Sequence, residues 1–115
     1  MNKLYRVPNK DYFKDHSGKK YNIKMIQQVI REGLNLRFSN NGDEDRTLEY
    51  LTLIAFNDMS NGQALLHSDN SVFCQFLFKL GDFLGYDKIL EIVEDGGSQD
   101  HFLKNKHNIE RSVNL

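Results

Sequence analysis

Phe73, Phe76, Leu77, Leu80, Phe83 and Leu84 recur at i, i+3, i+4, i+7, i+10 and i+11. That spacing lines one face of an α-helix. Val72, Cys74 and Phe78 fall beside this stripe and widen it to well over half of the circumference. A helix that is apolar nearly all round has to be covered on more than one side. A chain of 115 residues supplies only a modest core of its own. The pattern therefore predicts that the second side packs on another protomer. Phe73, Phe76, Phe78, Leu80 and Phe83 are the expected interface, serving a homodimer or higher oligomer, or an apolar ligand.

Around this helix the periodicity changes along the chain. Lys3 to Val7 and Asp11 to Lys14 are short β-prone runs with Pro8-Asn9 as a turn between them. His16-Ser17-Gly18 signals a second turn, after which Lys20 to Asn22 can pair back. Asn22 is a suitable N-cap for a helix through Glu32, with Ile23, Ile26, Val29 and Ile30 on one face. Gly33 follows as the C′ residue and is expected to have positive φ. Leu34, Leu36 and Phe38 alternate with polar residues as a half-buried strand. Ser39-Asn40-Asn41-Gly42 turns the chain, and Asp43-Glu44-Asp45 reads as its solvated edge. Thr47 caps a further helix carrying Leu48, Leu51, Ile54, Ala55 and Met59, closed by residues 60–62. Ser68 or Asp69 caps the Phe-rich helix, Gly85 ends it, and Lys88 to Glu94 forms a short last helix. Residues 96–98 read as a hinge before a polar tail.

Charge is distributed unevenly over this order. Residues 1–31 hold eight basic side chains against two acidic ones, a net +6. Residues 32–100 hold four against thirteen, a net −9, although the whole chain is only −1. A basic patch on an acidic body concentrates polyanions at one place and repels them elsewhere. Arg6, Asn9, Lys10, Lys14, Lys19 and Lys20 are the candidate DNA-contacting residues, on two strands and their turns. A two-stranded ribbon fits the major groove, where Arg6 or Asn9 would read a base edge and the lysines would meet phosphates. Tyr5, Tyr12, Phe13 and Tyr21 interleave with these cations. Exposed, they would stack on single strands; packed, they would form the inner face of the hairpin.

No nucleophile elbow, phosphate loop, dinucleotide fingerprint or metal-spaced Cys/His set is present, so the chain does not read as an enzyme and no cofactor or metal is expected. His16, His67, His101 and His107 are scattered, and the lone Cys74 reads as a small buried hydrophobe. No apolar run approaches the roughly 20 residues of a membrane span. The opening residues lack the apolar stretch of a signal peptide, so a cytoplasmic protein is expected.

Arg6-Val7-Pro8-Asn9-Lys10-Asp11-Tyr12-Phe13, then Ile26-Gln27-Gln28-Val29-Ile30-Arg31-Glu32-Gly33, then Leu34 to Phe38, a Gly42 turn, and Asp45-Arg46-Thr47 leading to Leu51-Thr52-Leu53-Ile54 form an ordered set. Asn61-Gly62-Gln63-Ala64-Leu65-Leu66 follows it. This order resembles the polyhydroxyalkanoate synthesis repressor family, which opens with Tyr-Pro-Asn-Arg-Arg-Leu-Tyr-Asp. The resemblance implies a bacterial transcriptional regulator that binds duplex DNA and is released by hydrophobic storage polymer. Lys10 and Asp11 stand where the family has paired arginines, and Lys lacks the planar fork that Arg offers to guanine or phosphate.

The expected fold is α+β: a small N-terminal β-hairpin and strand with packed helices, then a C-terminal helical part. Residues 1–66 form the DNA-binding-like region, 67–96 the apolar helical region and 97–115 a polar tail. The expected function is a DNA-binding regulator. The alternative is an adaptor that binds a granule or a protein through its Phe-rich face without binding DNA.

Overall fold

The computed structural model describes residues 2–56 and 68–95. Three short strands, β1 (Lys3–Arg6), β2 (Tyr12–Lys14) and β3 (Lys20–Asn22), form an antiparallel meander. Helix α1 (Ile23–Arg31) then carries the chain to β4 (Arg37–Ser39), which pairs parallel to β1. The sheet order is β3-β2-β1-β4. Helices α2 (Thr47–Phe56), α3 (Val72–Leu84) and α4 (Tyr86–Glu94) complete an α+β fold.

Local chemistry sets the corners. At the first, Lys10 N donates to Val7 O at 3.2 Å. Pro8 occupies the second position of this turn, and Asn9 the third with φ 61°. That is the type II pattern, which needs positive φ where Asn or Gly stands. At the second corner, Asp15 Oδ1 accepts from the backbone of Ser17 at 2.9 Å and of Lys19 at 3.0 Å. Asn22 Oδ1 caps α1 by accepting from Met25 N at 2.9 Å.

The end of α1 explains why β4 starts late. Gly33, with φ 81°, donates to Ile30 O at 3.0 Å, and Leu34 N donates to Val29 O at 3.2 Å. These are the two bonds of a Schellman motif. Leu34 belongs to this helix-end motif and is 48% exposed. The strand expected from Leu34 therefore begins at Arg37, while Leu36 and Phe38 remain buried as their alternation requires.

Every residue from Tyr50 to Phe56 is buried, so α2 is the central helix. It meets β4, α3 and α4. Where α2 and α3 meet, a Cβ at Gly81 would collide with Thr52 Oγ1 and press on its Cβ and Cγ2 at 3.1 and 3.2 Å. The missing side chain sets how closely these helices approach. Helix α4 packs on both α2 and α3.

This packing corrects the oligomer expectation for two residues. Phe78 and Leu80 are buried in the protomer's own core, because α2 and α4 cover the wide stripe of α3 from two directions. Phe73 and Phe76 are half-buried against that core. Phe83 is 52% exposed and Val72 88%. Two caps also differ from expectation. Ser71, rather than Ser68 or Asp69, caps α3 by accepting from Cys74 N at 3.1 Å. Thr47 is the first buried residue of α2, bonded to Phe38 N at 3.0 Å, while Asp45 Oδ1 accepts from Thr47 N.

One core cluster draws on both expected regions, from Leu4 to Val93. Met59, the turn at 60–62, the 61–66 motif, His67, the hinge at 96–98 and the tail with His101 and His107 lie outside the described residues.

Candidate nucleic-acid interface

Side chains alternate across a strand, and residues paired across a ladder share a face. The registers Arg6↔Phe13↔Tyr21 and Leu4↔Phe38 run along the inner face, against the core. The registers Tyr5↔Lys14↔Lys20, Lys3↔Arg37 and Tyr12↔Asn22 run along the other face. The four interleaved aromatics are thus divided by register: Phe13 and Tyr21 inward, Tyr5 and Tyr12 outward.

On the outer face Lys14 stands directly opposite Lys20. Like charges so placed repel each other. Among the described residues, ion pairs on this face go to other cations: Lys3 pairs with Asp43 and Arg37 with Asp45. Lys14 and Lys20 have none. Lys20 rests its Nζ 4.8 Å from the centroid of the Tyr12 ring, and Lys19 rests 5.1 Å from that of Tyr21. Lys10 is exposed at the first corner, with Asp11 exposed beside it. The carboxylate of Asp15 is turned into its own loop, and the Ser17 hydroxyl followed by the Lys19 backbone holds it below the usual carboxylate range.

The β4 edge is the neutralised side. Asp43 accepts from Lys3 and, at 3.1 Å, from Tyr5 OH. The Lys3 ammonium, and then Tyr5, keep its carboxyl below the ordinary range. His16 meets Tyr5 edge-on at 4.9 Å between centroids. The guanidinium of Arg37 and the hydroxyl of Thr47 hold Asp45 down at about 2. Residues 41–45 are exposed, as expected of the solvated edge of the turn, and from there Asp43 and Asp45 reach Lys3 and Arg37, a pairing that alternation along a single strand does not show.

Lys10, Lys14, Lys19 and Lys20 thus gather along β2, β3 and their turns. Arg6 does not join them, and the expectation that it reads a base is corrected. Its side chain is 1% exposed, on the inner face. Nη1 donates to Val7 O at 2.8 Å and to Lys10 O at 2.9 Å, and Nε donates to Asp69 Oδ1 at 3.2 Å. The guanidinium ties the first corner to the start of α3. Asn9 is exposed at that corner, and its backbone serves the turn.

Two features were not foreseen. Asp69 joins Arg6 to the Tyr50 hydroxyl, which donates to Oδ2 at 2.8 Å. Burial, followed by that bond, raises the Tyr50 phenol. A cavity of about 230 Å³ lies between the end of α1, α2 and α4, lined by residues including Leu34, Leu36, Tyr86 and Leu90. Among the described residues no group of three His, Cys, Asp or Glu is placed to hold a metal, and no helix is long and apolar enough to cross a membrane.

Chemically, this face is suited to holding a polyanion. No protein-family model, curated protein or solved structure matches this chain. Pro8, Asn9 and Gly33 each have a turn or helix-end role in this fold.

Proposed function

We propose that this protein is a nucleic-acid-binding regulator that meets its ligand with the outer face of its sheet. One observation carries the reading: Lys14 and Lys20 face each other with no carboxylate partner among the described residues, while Asp43 and Asp45 are engaged at the opposite edge. A phosphate between the two ammonium groups would relieve their repulsion. Lys10 adds positive charge at the first corner, and Lys19, over the Tyr21 ring, adds it at the β3 edge. The resemblance to polyhydroxyalkanoate synthesis repressors adds duplex DNA as ligand, repression as outcome and the cytoplasm as the place of action. Self-association is assigned to the outer line of α3, where Val72 and Phe83 remain exposed. That same line supports the second reading, an adaptor docking on a granule or a protein.

Fluorescence anisotropy with promoter fragments of the protein's own operon, titrated across salt, tests the proposal. Binding should weaken steeply with salt. Each of Lys10→Ala, Lys14→Ala, Lys19→Ala and Lys20→Ala should reduce the slope of log K by about one, because each contact releases roughly one counterion. Absence of binding at low salt, to these fragments and to their separated strands alike, would favour the adaptor.

A further inference from the structure

On the nucleic-acid reading above, on which this depends, and in place of the duplex that the resemblance adds, we infer that the outer sheet face is built for a single strand, with bases stacked on Tyr12 and Tyr5 and phosphates held by Lys14 and Lys20. Both tyrosines stand on the central strands of the sheet, Tyr5 on β1 and Tyr12 on β2. Tyr5 is opposite Lys14, so Tyr12 is its diagonal neighbour on the same face, at about 7–8 Å by strand geometry. Single-strand binders combine aromatic rings on a sheet with a cationic track for the backbone. Here the row Tyr5–Lys14–Lys20 sets one ring beside two cations across three strands, with Tyr12 on the same face of β2 as Lys14.

The cations already mark the stacking positions. Lys20 Nζ lies 4.8 Å from the Tyr12 centroid and Lys3 Nζ 5.5 Å from the Tyr5 centroid. A ring face attracts an ammonium at such distances. An incoming base displaces it, and the flexible Lys stem carries the charge to the adjacent phosphate. At the Tyr5 end, the hydroxyl donates to Asp43 and lies 3.1 Å from His16 Nε2, which fixes the ring plane.

A duplex fits this face less well. Four strands spaced about 4.8 Å apart span about 14 Å before side chains are added, against a major groove of about 12 Å. The β2–β3 hairpin is not a free arm either. β2 is bonded on both sides, and Phe13 anchors it with no exposed surface. A groove-reading ribbon must project, whereas a stacking platform must be broad and backed by a core.

The test is an anisotropy titration of the full chain with labelled oligo-dT, oligo-U and a duplex of equal length, at low and moderate salt. Tyrosine emission gives a second readout, since the chain has no Trp. Single strands should bind at least about tenfold tighter than the duplex and quench that emission. Tyr12→Ala should weaken single-strand binding by about 5- to 100-fold with the salt slope kept, as expected for a lost stack. Tyr12→Phe retains the ring and should bind like the parent, which separates stacking from misfolding. Lys14→Ala should instead lower the slope by about 0.7. Preference for oligo-U assigns RNA and preference for oligo-dT assigns DNA, and either supports the inference. Equal or tighter duplex binding, or full affinity in Tyr12→Ala, would overturn it and leave the nucleic-acid reading standing. No binding of any probe at low salt would overturn both.

Discussion

Arg6 and Asp69, 63 residues apart in the chain, are joined inside the protein by a bond from Nε to Oδ1 of 3.2 Å. The arginine side chain is 1% exposed and the aspartate 22%. The Phe13 ring lies 5.9 Å from the guanidinium carbon, and Tyr50 donates to the other carboxylate oxygen. This pair fastens the first corner of the sheet to the turn that begins α3.

Asp69→Ala removes the carboxylate to which Arg6 Nε donates and takes the acceptor from the Tyr50 hydroxyl. A loss of about 3 kcal/mol is expected, since breaking one side of a buried pair costs more than the pair contributes. Asp69→Asn keeps an acceptor oxygen and should lose less. Urea unfolding of both variants measures the difference, and an Asp69→Ala protein as stable as the parent contradicts the network.

Gly81→Ala should destabilise by about 1–3 kcal/mol, because the new methyl overpacks against Thr52. Thr52→Ala in the same chain removes Oγ1 and Cγ2 and should recover part of that loss. A double-mutant cycle reads the coupling. Additive effects would show that the two helices do not meet at these residues.

Gly33→Val should cost about 1 kcal/mol or more, since a β-branched residue is poorly tolerated at the positive φ of a helix-ending C′ position. Gly33→Asn should be milder, as Asn enters the left-handed region more readily. Thermal melts of the two variants decide, and equal losses would point to packing instead of backbone conformation. Nothing lies within 4 Å of the Cβ position there.

The Asp45 carboxyl sits at about 2, below its free value of 3.8. Its contribution to stability is therefore complete above about pH 4 and is lost as pH falls toward 2. Asp45→Asn removes this dependence, so its melting temperature should fall less than the parent's over that interval. Asp43 and Asp15 are also held low and remain in the variant. Parallel acid curves for parent and variant would show that Asp45 is not held by Arg37 and Thr47.

The helix faces were legible because they depend on spacing alone. Ile23, Ile26 and Ile30 are buried at helical period, and Leu36 and Phe38 at strand period. Asn22, Gly33 and Gly85 act at helix ends through their own side chains or their own φ. Even the Pro8-Asn9 corner follows from the two residues that form it. These are local effects, and the information for them lies within a few positions of each residue.

Tertiary structure decided which polar groups are spent inside. Arg6 and Lys14 read alike in the sequence as cations of a basic hairpin. Register puts Arg6 beside Phe13 on the core face, and a carboxylate arriving with α3 makes its burial tolerable. Lys14 falls opposite Lys20 on the outer face and stays available. The same holds for the apolar stripe of α3, whose width pointed to a partner until α2 and α4 covered Phe78 and Leu80. Periodicity assigns a side chain to one face of its own element. What covers that face, and which distant charge reaches it, depends on contacts between elements far apart in the chain, and no local pattern encodes those.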